Sequence, residues 1–227
     1  MNTCKIPAAV EDTEGDNRWI SIHNRFLSET REKDADVVFI GDSIIQALQH
    51  CEIWNELFVP LHCLNFGIHR DKIENVLWRV HNGELDNVKP KAIVLHVGTN
   101  NHKNKPEDIF EGIMEIISII KEKQPDAYIV IPTLLPRGQY PNPIREKLSR
   151  VNDLLKEKLS LHPQPKVELI SIDNGFILPD GTITHHDMYD YLLLTHSGCQ
   201  KAFKPVYELL LQLLTEGETE TDLTPSE

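Results

Sequence analysis

The sequence predicts an α/β fold: a doubly wound, five-stranded parallel sheet with helices on both faces. Two observations predict it. Short, β-branched apolar runs without polar alternation recur along the chain, as expected of strands buried on both faces. Longer stretches with helical apolar spacing separate them, which calls for right-handed crossovers rather than hairpins.

The elements follow in order. A helix is expected over Arg18 to Arg31. Val37-Val38-Phe39-Ile40 reads as the first strand, stopped by Gly41, with a short helix after Ser43. Leu61 to Phe66 is the second strand, ended by Gly67. Asp71 to His81 is helical, because Ile73, Val76, Leu77 and Val80 share one face. Ala92 to Val97 is the third strand, and Gly98 ends it. Pro106 to Lys123 opens with proline and acids in its first turn, as helix starts do. Ala127 to Pro132 and Val167 to Ile172 are the fourth and fifth strands, with helices over Arg145 to Leu161 and His196 to Leu214. This divides the chain into an N-terminal extension (residues 1–17), one domain (18–214) and a Glu/Thr/Asp-rich tail (215–227) expected to be disordered.

At 227 residues the chain is long enough for one core without covalent staples. A formal net charge of −12 argues against non-specific binding to nucleic acid or anionic lipid. No apolar run is long enough to span a membrane, and the acidic first residues do not read as a signal peptide, so the expected location is the cytoplasm. Cys4, Cys51, Cys63 and Cys199 lack any paired spacing and are expected as free thiols. His185 and His186 are adjacent and so point different ways, and no His-Glu-x-x-His pattern occurs; neither a metal nor another cofactor is expected.

Ligands of open parallel sheets bind beyond the carboxyl ends of the strands. Those ends carry Gly41-Asp42-Ser43, Gly67-Ile68-His69-Arg70-Asp71 and Gly98-Thr99-Asn100-Asn101. A fourth segment, His186-Asp187-Met188-Tyr189-Asp190-Tyr191-Leu192-Leu193, lies near the C-terminus. Each alone also reads as a turn or helix cap.

Together, in this order, they resemble the four sequence blocks of the SGNH (GDSL-like) hydrolases, which have a flavodoxin-like fold. Glu52-Ile53-Trp54, Val76-Leu77-Trp78-Arg79, Asn82-Gly83-Glu84-Leu85 and Leu134-Leu135-Pro136-Arg137-Gly138 extend the similarity to the family of platelet-activating-factor acetylhydrolase alpha subunits. The resemblance covers about Gly15 to Leu214. It implies a serine-esterase mechanism: Ser43 as nucleophile, Asn100 with the Ser43 N–H as oxyanion donors, and Asp190 as the acid that orients a catalytic histidine.

Two positions depart from that pattern. Leu193 stands where the base histidine belongs, and Arg70 where a glycine supplies the third oxyanion N–H. A milder change puts His96 where relatives have tryptophan. Leucine accepts no proton, and a serine without a base is a poor nucleophile near neutral pH. Arg70 must tolerate whatever positive φ the glycine used, and its side chain is expected to fill the acetyl pocket.

The resemblance therefore implies a catalytically impaired homologue with a structural or binding role. The alternative is an active esterase of altered specificity using a relocated base, His196 or His69, with His96 also bordering the site. A third reading makes Arg70 a recognition residue for an anionic ligand. The family resemblance further implies a homodimer and a WD-repeat, lissencephaly-type regulatory partner.

Overall fold

The fold follows from five β-rich segments, of which the central ones must be buried on both faces. In the computed structural model, which describes residues 1–221, they form one parallel sheet: β1 (Val37–Gly41), β2 (Cys63–Gly67), β3 (Ala92–His96), β4 (Tyr128–Pro132) and β5 (Val167–Ile170). The strand order is β2-β1-β3-β4-β5. Val37 registers with Cys63 on one side and Ala92 on the other, so Gly41, Gly67 and His96 end in line.

Successive side chains of a strand face opposite sides, and two cores result. Val38 and Ile40 join Ile93, Leu95, Ile129 and Ile131 under α1 (Arg18–Glu32), α3 (Ile73–His81), α4 (Pro106–Lys123) and α5 (Pro143–Leu161). Val37 and Phe39 join Val94 and Val130 under α2 (Ser43–Leu48) and α6 (His196–Thr221). Both faces are covered, as a doubly wound sheet requires.

Differences from expectation lie at element ends. β2 starts at Cys63 because Val59–Leu61 forms a 3-10 turn that His62 closes in the left-handed region (φ 50°). Asn142 accepts N–H bonds from Ile144 and Arg145, so α5 starts with Pro143 in its first turn. α6 continues to Thr221, so the segment expected to be a disordered tail begins as helix; residues 222–227 lie outside those described.

The N-terminal extension is docked rather than loose. Cys4 is fully buried against the first core, and the Asn75 side chain donates to the Ala8 carbonyl at 2.9 Å. The expectation of four free thiols is corrected: Cys51 and Cys199 are joined as a disulfide, while Cys4 and Cys63 are free. They are 148 residues apart, and only the packing of α6 beside the segment after α2 brings them together, so spacing could not show the pairing. No helix among the described residues is long and apolar enough to cross a membrane, and no group of three metal-ligating side chains converges.

Candidate active site

The chain leaves β1 for β2 on one side and later places β3 on the other. The carboxyl ends of β1 and β3 therefore flank the topological switch point, where such sheets bind ligands. Ser43 opens α2 just past β1, and Thr99-Asn100 follow β3. Asp42 caps α2 by accepting from the Ile44 N–H at 2.9 Å. A Cβ on Gly67 would overlap the Gln46 backbone nitrogen, so only glycine lets α2 and the turn after β2 approach this closely.

That turn reaches Ser43 twice. The Arg70 N–H donates to Ser43 Oγ at 2.8 Å, and His69 Nδ1 lies 3.2 Å from the same oxygen. Ser43 Oγ thus accepts from the Arg70 N–H and shares a hydrogen bond with His69 Nδ1 whose direction follows the imidazole tautomer. Arg70 holds φ at 63°, the left-handed conformation its position demands, at a cost of about 1 kcal/mol for a residue with a Cβ. The Arg70 side chain is exposed and makes no hydrogen bond or ion pair among the described residues.

Partial burial pulls the His69 pKa below its ordinary value, and the Arg70 and Arg18 guanidiniums push it lower still. Among the described residues, no carboxylate hydrogen-bonds its ring. The other proposed replacement bases are elsewhere. His196 is exposed and 3.6 Å from Glu52, so its place in the alternative reading is corrected. His96 is 1% exposed with both ring nitrogens unpartnered, and burial lowers its pKa to about 4.

Among the described residues Asn100 makes no hydrogen bond to Ser43; its side chain donates to the Asp71 carbonyl at 2.9 Å, one residue beyond Arg70. Asp190 is exposed, and its Oδ1 accepts from the Leu192 and Leu193 N–H groups at 3.1 and 2.7 Å. Leu193 is half-buried and packs with Tyr191 and Leu192 against the second core. The structure thus brings Ser43, His69 and the Arg70 amide together. Among the described residues it joins Asp190 to no imidazole.

Two supporting arginines escaped the sequence reading as site elements. Arg79 is fully buried beneath the site, bonding Asp71 (2.8 Å), Glu84 (2.6 Å) and the carbonyls of Phe66 (3.1 Å) and Gly41 (3.0 Å). Burial pulls its pKa down, but Glu84 and Asp71 outweigh that and hold it above the usual arginine value. Burial in turn lifts Asp71 to about 6, against the opposing pull of Arg79 and the Trp19 N–H bond of 2.7 Å. The signal was a charge three residues after Val76, on the apolar face of an amphipathic helix. Arg137 donates to the Thr99 carbonyl at 3.1 Å, and its charge acts on both Asp42 and Asp190. Asp42 is fully buried with Oδ2 unpartnered, and burial raises its pKa to about 7.

Residues 39–201 match the model of the GDSL-like lipase/acylhydrolase family. The chain is 51% identical, over the whole of both proteins, to the platelet-activating factor acetylhydrolase IB subunit beta homolog of Drosophila melanogaster. It is 51% identical to subunit alpha2 of Rattus norvegicus (98% of this chain, 96% of that one) and 48% identical to subunit alpha1 of Bos taurus (96% and 93%). Among solved structures, a GDSL-like lipase from Bacteroides thetaiotaomicron superposes with a TM-score of 0.67 at 16% identity, covering 83% of this chain and 98% of the other. Est24, a carbohydrate acetylesterase from Sinorhizobium meliloti, gives 0.62 at 14% identity, covering 79% and 100%. At those identities the structural likeness concerns the fold alone.

Proposed function

We propose that this chain, which belongs to the GDSL-like lipase/acylhydrolase family, is a catalytically impaired homologue of the acetylhydrolase subunits, serving a structural or binding role. One observation carries the proposal: the imidazole that reaches Ser43 stands beside two guanidiniums and, among the described residues, hydrogen-bonds no carboxylate.

Acyl transfer to serine needs a base that becomes an imidazolium as Oγ attacks, and an acid that stabilises that cation. Asp190 occupies the position of the acid, but Leu193 replaces the imidazole it would orient, and one carboxylate oxygen is spent on the Leu192 and Leu193 amides. His69 would have to gain its charge next to Arg70 and Arg18, which oppose it. In subtilisin, a different triad enzyme, loss of the histidine costs roughly 10⁶ in kcat. The Arg70 N–H, at the position of the third oxyanion donor, instead bonds the resting hydroxyl. The Asn100 amide, at the position of another donor, is engaged by Asp71.

The 3.2 Å contact favours one second reading, a weak esterase using a Ser43–His69 dyad. Hydrolysis of p-nitrophenyl acetate by the parent, Ser43→Ala and His69→Ala decides between them. The impaired reading expects equal rates in all three. A parent rate that falls to background in both variants establishes the dyad.

The relatives are named as subunits, which supports a role through assembly: a homodimer, with a WD-repeat, lissencephaly-type protein as further partner. Co-purification of the two chains tests the latter contact.

A further inference from the structure

We infer that Cys51 and Cys199 form a redox-controlled tether between the two segments that flank the Ser43 site. Cys51 lies just beyond α2, the helix that Ser43 opens, and Cys199 lies in the first turn of α6, just after the loop carrying Asp190 and Leu193. Their Cα atoms are 6.7 Å apart, within the span of a disulfide.

The partners of Cys199 show what the bond would hold. Its N–H donates to the Thr195 carbonyl at 2.8 Å, and the Thr195 N–H donates to that of Asp187 at 2.9 Å. A Cβ on Gly198 would overlap the Asp187 carbonyl oxygen, so the start of α6 lies flat on the 187–195 loop. Lys201 binds Asp187 at 2.5 Å, and Met188 pairs with Leu194 in a short antiparallel bridge. A covalent link at Cys199 therefore restrains the whole loop through a chain of backbone bonds. Across the same gap Ile53, Leu194 and Phe203 share the second core, and at the surface His196 and Glu52 meet at 3.6 Å, both exposed.

The cysteines suit a reversible bond. Cys199 is 1% exposed, whereas Cys51 is half-buried and open to a soluble thiol or disulfide. In the reduced form the Cys51 thiol has an acceptor in place, the Ala47 carbonyl at 3.7 Å. The other two cysteines are poor competitors: burial raises Cys4 to about 12 and raises Cys63 further, leaving little thiolate. Closure proceeds by exchange with a small-molecule disulfide such as oxidised glutathione. The Cys51 thiolate attacks one sulfur and releases one glutathione thiolate. The Cys199 thiolate then displaces the second, so the protein gives up two electrons and two protons and the reagent leaves as two thiols. The redox poise of the surroundings sets which state is populated. The tether stands whether or not Ser43 turns over an ester.

The test uses the full chain in oxidised and reduced glutathione buffers, alkylated on unfolding and digested, with hydrogen exchange run in parallel. Oxidised protein should yield a linked Cys51–Cys199 peptide and alkylation at Cys4 and Cys63 only; reduced protein should be alkylated at all four. Amides of the 187–195 loop should exchange several-fold faster in the reduced protein while those of β1, β3 and β4 stay unchanged. Cys51→Ser should behave as reduced in both buffers. Full alkylation of Cys51 and Cys199 in the oxidising buffer overturns the inference. So does a linked peptide with identical loop exchange in both states.

Discussion

Replacing Arg79 by methionine removes a cation that sits, fully buried, among two carboxylates and two strand-end carbonyls. The methionine fills most of the volume, so the loss is electrostatic. Asp71 is left as a buried anion without its counter-ion, and Glu84 keeps its 2.9 Å contact with His23; removing one partner of a buried pair costs about 3–5 kcal/mol. The Phe66 and Gly41 carbonyls each lose one donor, Gly41 keeping the Ile68 N–H at 3.1 Å, at up to about 1 kcal/mol each. The expected deficit at neutral pH is roughly 5 kcal/mol, comparable to the whole stability of many domains. Arg79→Lys keeps the charge but cannot address four acceptors at once, and should lose about half as much.

The pH dependence gives the sign. Asp71 already titrates near 6 in the fold, above its ordinary 3.8, and Arg79 pulls that value down. Without Arg79 it rises further, and a carboxyl with a raised folded pKa gains stability as pH falls toward 3.8. The deficit should therefore shrink between pH 7 and pH 5. Urea unfolding of parent and variant at both pH values measures it. A deficit below about 1 kcal/mol, or one that grows on acidification, refutes the reasoning.

Other outcomes follow from the same structure. His96 is held near pKa 4 against 6.5 unfolded, so its contribution is complete above pH 6.5 and falls by about 3 kcal/mol as pH drops to 4; His96→Phe should flatten that part of the stability curve, measured by thermal melts across the range. Leu193→His would place an imidazole three residues past Asp190, and Arg70→Gly would remove a cation that opposes an imidazolium; Ser43-dependent hydrolysis of p-nitrophenyl acetate should emerge in the double variant and stay near background in either single one. Light scattering should give twice the 26.0 kDa chain mass at micromolar concentration, and a monomer would remove the homodimer from the account.

Much of this was legible in the sequence, for physical reasons. The buried runs at Val37, Ala92 and Tyr128 have no polar face to display, so a parallel sheet between helices was their only economical home. The loops that end the first and third strands fall at the switch point because the strand order reverses between them. The positive φ at Arg70 was foreseeable from the glycine-type turn it replaces, and the structure holds it at 63°. What stayed hidden was convergence over distance. Nothing in the spacing of Cys51 and Cys199 indicates that α6 packs beside the end of α2. Local sequence ranks His69 and His196 alike as substitutes for a base. Only the fold puts one 3.2 Å from Ser43 and the other against Glu52. The left-handed backbone at Arg70 aims its amide at Ser43, while the guanidinium is exposed.

The reactivity of Ser43 bears most directly on the whole reading. A fluorophosphonate forms an adduct only with a serine that a base has activated, and intact mass with peptide mapping locates it. The account predicts no Ser43 adduct above that of a Ser43→Ala control under conditions that saturate an active serine esterase. Stoichiometric labelling at Ser43 that His69→Ala abolishes would contradict it and make this chain an enzyme.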